Sequence, residues 1–290
     1  MAPSQPDRST LDANYNLRAA VPEHQDYFDR YEAASEAWRE RCGGRPDLLY
    51  GSSPRQAIDL YLPEAGGRPP LLVFIHGGYW QRFDRKAFAF VAEPLRAAGA
   101  AVALIGYDLA PAVDMDAIVG QIRRGLGWLY REAAALGYDP ARIFVAGHSA
   151  GGHLTAMALA TDWPAHGLPA DLIKGACTIS GIFDLKPIRL CYLNEVLGLD
   201  AEQARRNSPL HLPPGTAPCP VAVAVGETET AAFHEQSRAY AGKLVAAGWP
   251  CRLVVQPGMH HFEIVMSMAR ADDALVRILA GQMGLAPHAA

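Results

Sequence analysis

The sequence contains few cysteines, and their spacing excludes the disulfide framework of a small secreted domain. Five cysteines are scattered over 290 residues, and no two of them form a Cys-x-x-Cys pair. An odd number of thiols at such spacing is typical of a protein kept in a reducing compartment. The sequence therefore predicts reduced cysteines and a cytoplasmic location.

Long apolar runs and clusters of positive charge are also missing. No apolar stretch reaches the roughly 20 residues that cross a bilayer. The polar start of the chain, residues 1–8, lacks the apolar centre of a signal peptide. The formal net charge of −4 argues against nucleic acid and anionic membrane surfaces as partners. We expect a small-molecule substrate, and the sequence is compatible with a homo-oligomer.

Strand-like and helix-like segments alternate from residue 55 onward, and half of all residues are apolar. This alternation predicts a mostly parallel sheet covered by helices on both faces. The first strand alternates apolar and polar residues, so we expect it to be half-exposed. The predicted strands are 57–62, 71–75, 101–105, 143–146, 173–179, 221–225 and 252–255. The predicted helices are 87–98, 117–136 and one that begins at Ala150.

Two stretches lie outside this alternation. Residues 23–41 carry charged and aromatic side chains at helical spacing, which predicts an amphipathic helix packed on the body of the protein. Residues 184–212 contain Pro187 and Pro209 and interrupt the sheet between two strands. Such an insertion forms either a cap over a binding site or a surface excursion, and the sequence alone does not distinguish them.

The motif Gly147-His-Ser-Ala-Gly151 follows the apolar run 143–146 and precedes a run of small, helix-compatible residues. This is the Gly-x-Ser-x-Gly pattern of a serine held on a sharp turn between a strand and a helix. The neighbouring glycines lack side chains that would obstruct the close approach of strand and helix. We interpret Ser149 as a nucleophile.

Acids and histidines follow the last two predicted strands. Gly226-Glu-Thr-Glu-Thr230 comes after the strand 221–225, and Gly258-Met-His-His-Phe262 comes after the strand 252–255. The resulting order of serine, acid and histidine is that of α/β-hydrolase chains. Both loops also lie past the carboxyl ends of strands, where open α/β sheets place their sites.

Each loop offers more than one candidate. Glu229 is preferred as the acid, and Glu227 is interpreted as an exposed acid at a helix start. Asp184, after another strand, is a further alternative. His260 and His261 are not distinguished by their position alone.

Two more histidines accompany the serine motif. His148 and His153 are interpreted as packing or hydrogen-bonding residues. Neither belongs to a His-Glu-x-x-His arrangement or a similar cluster, so the sequence predicts no metal and no other cofactor.

A second glycine motif, His76-Gly-Gly-Tyr-Trp80, follows the buried strand 71–75. Glycines at this position let backbone N–H groups turn toward a substrate oxygen, as in the oxyanion holes of lipases and esterases. We expect the backbone N–H groups of Gly78, Tyr79 and Ala150 to be the donors.

Together these residues resemble the kynurenine formamidase (arylformamidase) family of α/β-hydrolases. The distinguishing feature is Tyr79, because relatives similar to hormone-sensitive lipase carry a third glycine there. The resemblance covers nearly the whole chain. Its other segments are Tyr15-Asn-x-Arg18 with Val21-Pro22, Ser180-Gly-Ile-Phe-Asp-Leu185, Leu193-Asn194, Ser208-Pro209 and Gln236-Ser237.

The resemblance implies the catalytic triad Ser149, Glu229 and His261. In this family the histidine directly precedes a phenylalanine, which favours His261 over His260. The acid stands at the position of Glu229, where animal members usually have aspartate. A longer carboxylate can still orient an imidazole.

The resemblance also implies hydrolysis of N-formyl-kynurenine to kynurenine and formate in tryptophan degradation. A broad-specificity carboxylesterase or thioesterase with the same triad is the alternative, and a non-catalytic binding protein on this scaffold is a remote one. An aryl substrate requires an aromatic cleft, for which Tyr79, Trp80, Phe183 and Tyr192 are candidates; the competing interpretation makes most of them core residues.

These inferences predict one α/β-hydrolase domain over residues 1–290. A helical extension would occupy residues 1–45, and a cap-like insertion would occupy residues 184–212.

Overall fold

An eight-stranded sheet lies at the centre of the computed structural model, which describes residues 7–286. Residues 1–6 and 287–290, including most of the polar start, lie outside the described part. The strand order is β1-β2-β4-β3-β5-β6-β7-β8; β2 is antiparallel to both of its neighbours and the other pairs are parallel. The prediction of a mostly parallel sheet is therefore confirmed. The strands are β1 Arg45–Leu49, β2 Ala57–Tyr61, β3 Leu71–Ile75, β4 Ala101–Ile105, β5 Ile143–His148, β6 Ile173–Ile179, β7 Val221–Gly226 and β8 Cys251–Gln256.

Helices flank this sheet, and several of them pack directly against its strands. The longest, α5, begins after Asp114, whose side chain accepts the N–H of Ala117, and ends at Gly137 in a left-handed conformation. The helices are α1 Arg8–Tyr15, α2 Leu17–Ala20, α3 His24–Cys42, α4 Ala92–Ala97, α5 Met115–Leu136, α6 Ala150–Leu159, α7 Lys186–Leu190, α8 Asn194–Leu197, α9 Ala201–Arg206, α10 Ala231–Ala246, α11 Glu263–Met266 and α12 Ala274–Gln282.

The inner strands are buried along their whole length. Every residue of β3, β4 and β5 is shielded from solvent, as continuous apolar runs in a parallel sheet predict. One hydrophobic core extends from Leu11 to Met283 and includes side chains of the N-terminal helices. The carboxyl ends of these buried strands are thus held in fixed positions relative to one another.

Strand β2 is not half-exposed, so that prediction was wrong. Its polar residue Asp59 is only 1% exposed, because its carboxylate accepts a hydrogen bond from the Arg85 guanidinium at 3.0 Å and another from the N–H of Asp47. Strand β1, which covers the outer edge of β2, was not predicted. Its charged, proline-containing sequence lacks an apolar pattern.

The segment predicted as a helix over 87–98 is divided. A 3-10 helix, Arg85–Val91, contains a kink at Phe88, and the α-helix α4 follows it. The N-terminal amphipathic helix was predicted over 23–41 and spans His24–Cys42, with Tyr31 and Trp38 buried against the body. The small difference in α3 lies at its ends, which local sequence determines least sharply, whereas the division of 87–98 lies inside the predicted helix.

The segment 184–212 contains three short helices, α7 to α9, and α7 packs against α1. None of the helices in the described part of the chain is long and apolar enough to cross a membrane. All five cysteines fall within the described residues and form no disulfide.

Candidate active site

Ser149 stands at the turn between β5 and α6. Its backbone has a φ of 57° and a ψ of −116°, a conformation that non-glycine residues rarely adopt. The helix after it approaches β3 so closely that a Cβ on Gly151 would lie 1.9 Å from the carbonyl oxygen of Ile75. Glycine at this position therefore allows the sharp turn that lifts the serine out of the sheet.

His261 and Glu229 form a buried pair. The His261 Nδ1 donates a hydrogen bond to Glu229 Oε2 at 2.7 Å, and the two side chains are 3% and 0% exposed. The other carboxylate oxygen, Oε1, accepts the backbone N–H of Gly226 at 2.7 Å and the hydroxyl of Ser180 at 2.5 Å. The acid is thus held in place by three donors. An imidazole held this way presents its second nitrogen, Nε2, away from the acid.

Ser149 and His261 line the same cavity, whose volume is about 250 Å³. No hydrogen bond joins the Ser149 hydroxyl to His261 among residues 7–286. Catalytic hydrogen bonds of this kind are often long before substrate binds. The turn that carries Ser149, the buried Glu229–His261 pair and the cavity nevertheless lie together at one edge of the sheet.

The two competing acids do not contact His261. Glu227 is exposed, and its Oε2 accepts the backbone N–H of Gly258 at 2.7 Å. Asp184 lies 3.3 Å from the imidazole of His211 instead. Of the three acids considered from the sequence, the structure brings only Glu229 to the histidine.

His260 has a structural position. Its Nδ1 accepts the backbone N–H groups of Phe262 and Glu263, each at 3.2 Å, so it caps the start of α11. Its ring also packs edge-on against Tyr27. The hydrogen bonds that orient an imidazole toward an acid are therefore made by His261 and not by His260.

His148 and His153 make hydrogen bonds in the interior, as expected. The Nε2 of His148 donates to the backbone carbonyl of His261 at 2.9 Å, and the two rings lie 4.6 Å apart. Burial lowers the pKa of His148 well below its usual value, so the ring is neutral at pH 7. His153 Nε2 donates to the carbonyl oxygen of Asn207 at 2.7 Å, and burial lowers the pKa of His153 to about 4.

The second glycine motif forms an unusual loop after β3. Gly78, Tyr79 and Trp80 all have positive φ, at 112°, 50° and 59°. A Cβ on Gly78 would lie 2.4 Å from the carbonyl oxygen of Arg82, so only glycine fits. No backbone hydrogen bond of residues 7–286 uses the N–H of Gly78, Tyr79 or Ala150 as donor. These three groups thus remain free to bind a ligand oxygen.

Two of the four predicted cleft residues line the cavity, and two do not. Tyr79 and Tyr192 contribute to its wall. Trp80 is fully buried, and its Nε1 donates to His153 Nδ1 at 3.2 Å. Phe183 is also buried and stacks on Tyr240 with ring centroids 4.2 Å apart. The prediction that Trp80 and Phe183 form the cleft is therefore wrong, because both rings are packed in the core.

Several residues of this site were not predicted. Ser180 holds the acid; it begins the segment 180–185 that carries part of the resemblance, but no role was predicted for it. Phe28 and Tyr31 of α3 and Phe83 after the glycine loop complete the aromatic wall of the cavity. These positions come from elements far apart in the chain, so only the fold brings them together. In the described part of the chain, no group of three His, Cys, Asp or Glu residues has the arrangement of a metal site.

Comparison with known proteins identifies the family to which the chain belongs. A family model described as BD-FAE matches residues 58–176. The kynurenine formamidase of Danio rerio is 35% identical over 82% of this chain and 81% of its own length. That of Salmo salar is 34% identical over 89% of this chain and 90% of its own length.

Solved structures extend the likeness to the fold. A protein from a Silicibacter species, provisionally assigned as a thioesterase, has a TM-score of 0.81 and 33% identity, covering 93% of this chain and 98% of its own. A thermostable carboxylesterase from a metagenomic library has a TM-score of 0.73 at 20% identity, covering 92% and 98%, and shows the fold alone. Ser149 on its sharp turn and the Glu229–His261 pair fit a hydrolase, and the two kynurenine formamidases match over most of the chain. The chain therefore belongs to the kynurenine formamidase family of α/β-hydrolases.

Proposed function

We propose that this protein is a metal-independent serine hydrolase that cleaves aryl formamides, with N-formyl-kynurenine as its substrate. The observation that carries the proposal is the buried hydrogen bond between His261 and Glu229 beside a cavity that Ser149 also lines. The relatives named kynurenine formamidase support the choice of a formamide. Kynurenine and formate would be the products.

The first half of the reaction transfers the formyl group to the enzyme. The Ser149 hydroxyl oxygen attacks the formyl carbon while His261 Nε2 takes the hydroxyl proton. Glu229 keeps the imidazole oriented and stabilises its charged form. The C–N bond then breaks, and His261 returns the proton to the departing aryl amine. The product of this half is a formyl ester on Ser149 and a free amine.

The second half releases formate. His261 takes a proton from water, and the hydroxyl attacks the formyl ester carbon. The bond to the Ser149 oxygen then breaks, and the serine regains its proton from His261. In both halves the N–H groups of Gly78, Tyr79 and Ala150 would bind the negatively charged oxygen of the tetrahedral intermediate.

Replacing the acid tests the assignment of Glu229. We expect Glu229→Gln to lower kcat on an aryl formamide by roughly 10³- to 10⁴-fold, because an amide cannot keep Nδ1 of His261 protonated and oriented. The matched variant Glu227→Gln should stay within about threefold of the parent, since its carboxylate only accepts a backbone N–H in an exposed loop. Steady-state kinetics with purified variants gives both values. A larger loss at position 227 would assign the acid to the other glutamate.

A carboxylesterase or thioesterase with the same triad is the second candidate, supported by the Silicibacter structure. The cavity volume of about 250 Å³ favours a substrate with a small acyl group, because the aryl part must share this space. We expect kcat/KM on N-formyl-kynurenine to exceed that on p-nitrophenyl acetate, and activity to fall steeply from formyl to butyryl esters. If the butyryl ester were the best substrate and the formamide stayed intact, the carboxylesterase would replace the formamidase.

We further propose that the chain forms one hydrolase domain in which residues 184–212 act as a cap. Tyr192 and Leu193 of this segment contribute to the cavity wall, and the core extends from α1 to α12 without a break. The five unpaired cysteines support a reducing compartment such as the cytoplasm.

A further inference from the structure

The cavity beside Ser149 is lined by positive but not by negative side chains. Arg18 and Arg82 belong to its wall, whereas none of the described residues that line it is an aspartate or a glutamate. The Glu229 carboxylate is covered by its three donors and stays behind His261. A ligand in this cavity therefore meets cationic groups without compensating anions, which favours a negatively charged ligand.

Both arginines lack a side-chain partner in the described part of the chain. Among residues 7–286, neither guanidinium forms a hydrogen bond or an ion pair with another side chain. Some other arginines of this chain are paired, as Arg85 is with Asp59 at 3.0 Å and Arg206 is with Asp116 at 2.6 Å. A guanidinium carries five N–H donors in a planar fork that matches a carboxylate. Two unpaired guanidinium groups at one cavity thus form a site that can bind a carboxylate.

The segment that carries Arg18 is fixed against the site. The Tyr79 hydroxyl donates to the carbonyl oxygen of Tyr15 at 2.8 Å, and Thr230 donates to that of Asn14 at the same distance. The Asn16 side chain accepts the N–H of Ala19 and caps α2. In the sequence signature Tyr15-Asn-x-Arg18, the first two residues thus have structural partners. Arg18 has none among residues 7–286, and it lines the cavity together with Asn16 and Leu17.

The loop that carries Arg82 offers a further donor. Gln81 also lines the cavity, and its buried Nε2 has no hydrogen-bond acceptor among the described residues. This loop is held by hydrogen bonds from the N–H groups of Gln81 and Arg82 to the carbonyl oxygen of Gly78. The loop that carries these donors is therefore fixed to the glycine motif 76–80.

We propose that Arg18 and Arg82 bind a carboxylate on the substrate, so that the enzyme selects aryl formamides with an anionic side chain. This inference rests on the proposed function, in which Ser149 attacks the formyl group at the other end of the molecule. N-formyl-kynurenine carries both a carboxylate and an ammonium group. Because no acid lines the cavity, the carboxylate is the group that is recognised, and the ammonium finds no ionic partner.

Two analogues separate these charges. One is the deaminated keto acid of N-formyl-kynurenine, which keeps the carboxylate, and the other is the decarboxylated amine, which keeps the ammonium. We expect kcat/KM of the wild-type enzyme to be about tenfold higher for the keto acid than for the amine, because two charge contacts at an exposed cavity mouth contribute about this much. The two analogues should differ in KM and not in kcat. This preference should shrink at high salt, because the contacts are screened.

The variants Arg18→Gln, Arg82→Gln and their combination test the two residues. The double variant should lose most of the preference for the keto acid. The control Arg238→Gln, on the exposed side of α10, should keep it. Since the readout is a ratio for one protein preparation, a partly unfolded variant does not distort it.

Three outcomes are distinguishable. An equal preference in the wild type and the double variant would overturn the carboxylate site. A wild-type preference for the amine would do the same. If the wild type hydrolysed neither analogue nor N-formyl-kynurenine, the proposed function itself would fail, whatever the arginines do.

Discussion

Replacing Ser149 with alanine is expected to lower kcat by roughly 10⁴-fold or more, because the nucleophile of a triad cannot be substituted by its neighbours. KM should change little, since the serine hydroxyl contributes little to ground-state binding. The measurement is steady-state hydrolysis of an aryl formamide by the purified variant. A fluorophosphonate reagent offers a second readout: intact mass should increase for the parent and stay constant for Ser149→Ala.

The exposed Ser52 provides the matched control. Ser52→Ala should keep the parent's activity and its reaction with the fluorophosphonate. Circular dichroism and a thermal midpoint close to that of the parent establish that Ser149→Ala is folded. If a folded Ser149→Ala protein retained more than a tenth of the parent's kcat, the covalent mechanism through Ser149 would be excluded.

Replacing His261 is expected to reduce activity as strongly as replacing Ser149. Both residues belong to one proton-transfer unit, so His261→Ala should lower kcat by roughly 10⁴-fold or more. Adding Ser149→Ala to it should bring almost no further loss. Rates of the two single variants and the double variant on the same formamide measure this non-additivity.

The adjacent histidine serves as the control for this experiment. His260→Asn keeps a side-chain acceptor for the N–H groups at the start of α11, and it should retain most of the activity. His260→Ala should also remain active but with lower stability. A greater loss of activity at position 260 than at position 261 would contradict the assignment of the base.

The inner part of the sheet was predictable because its strands are buried on both faces. Continuous apolar runs such as 71–75 and 143–146 have one interpretation in a chain that alternates strands and helices. A local apolar pattern gives the wrong burial for polar residues that are buried in pairs. Asp59 made β2 look half-exposed, although Arg85, 26 residues later in the chain, satisfies its carboxylate. The pairing depends on tertiary structure, which a local pattern does not contain.

The candidate site was predictable where the chemistry requires a local motif. Three short sequence features indicated it: the glycines around Ser149, the glycine motif 76–80, and the order of serine, acid and histidine along the chain. Most of the cavity wall could not be predicted from the sequence, because residues such as Phe28 and Phe83 come from separate parts of the chain and belong to no catalytic motif. Trp80 and Phe183 were misassigned because an aromatic residue beside a catalytic motif can point either into the site or into the core.

The hydrogen bonds of Trp80 have a consequence for how the site operates. Trp80 donates a hydrogen bond to His153 in α6, the helix that follows Ser149. His153 in turn donates a hydrogen bond to the backbone carbonyl of Asn207 in the segment 184–212. The glycine loop 76–80, the helix after Ser149 and this segment are thus joined through one buried imidazole. Because none of the three can shift without breaking a bond in the interior, the site is preorganised, and substrate need not supply binding energy to assemble it.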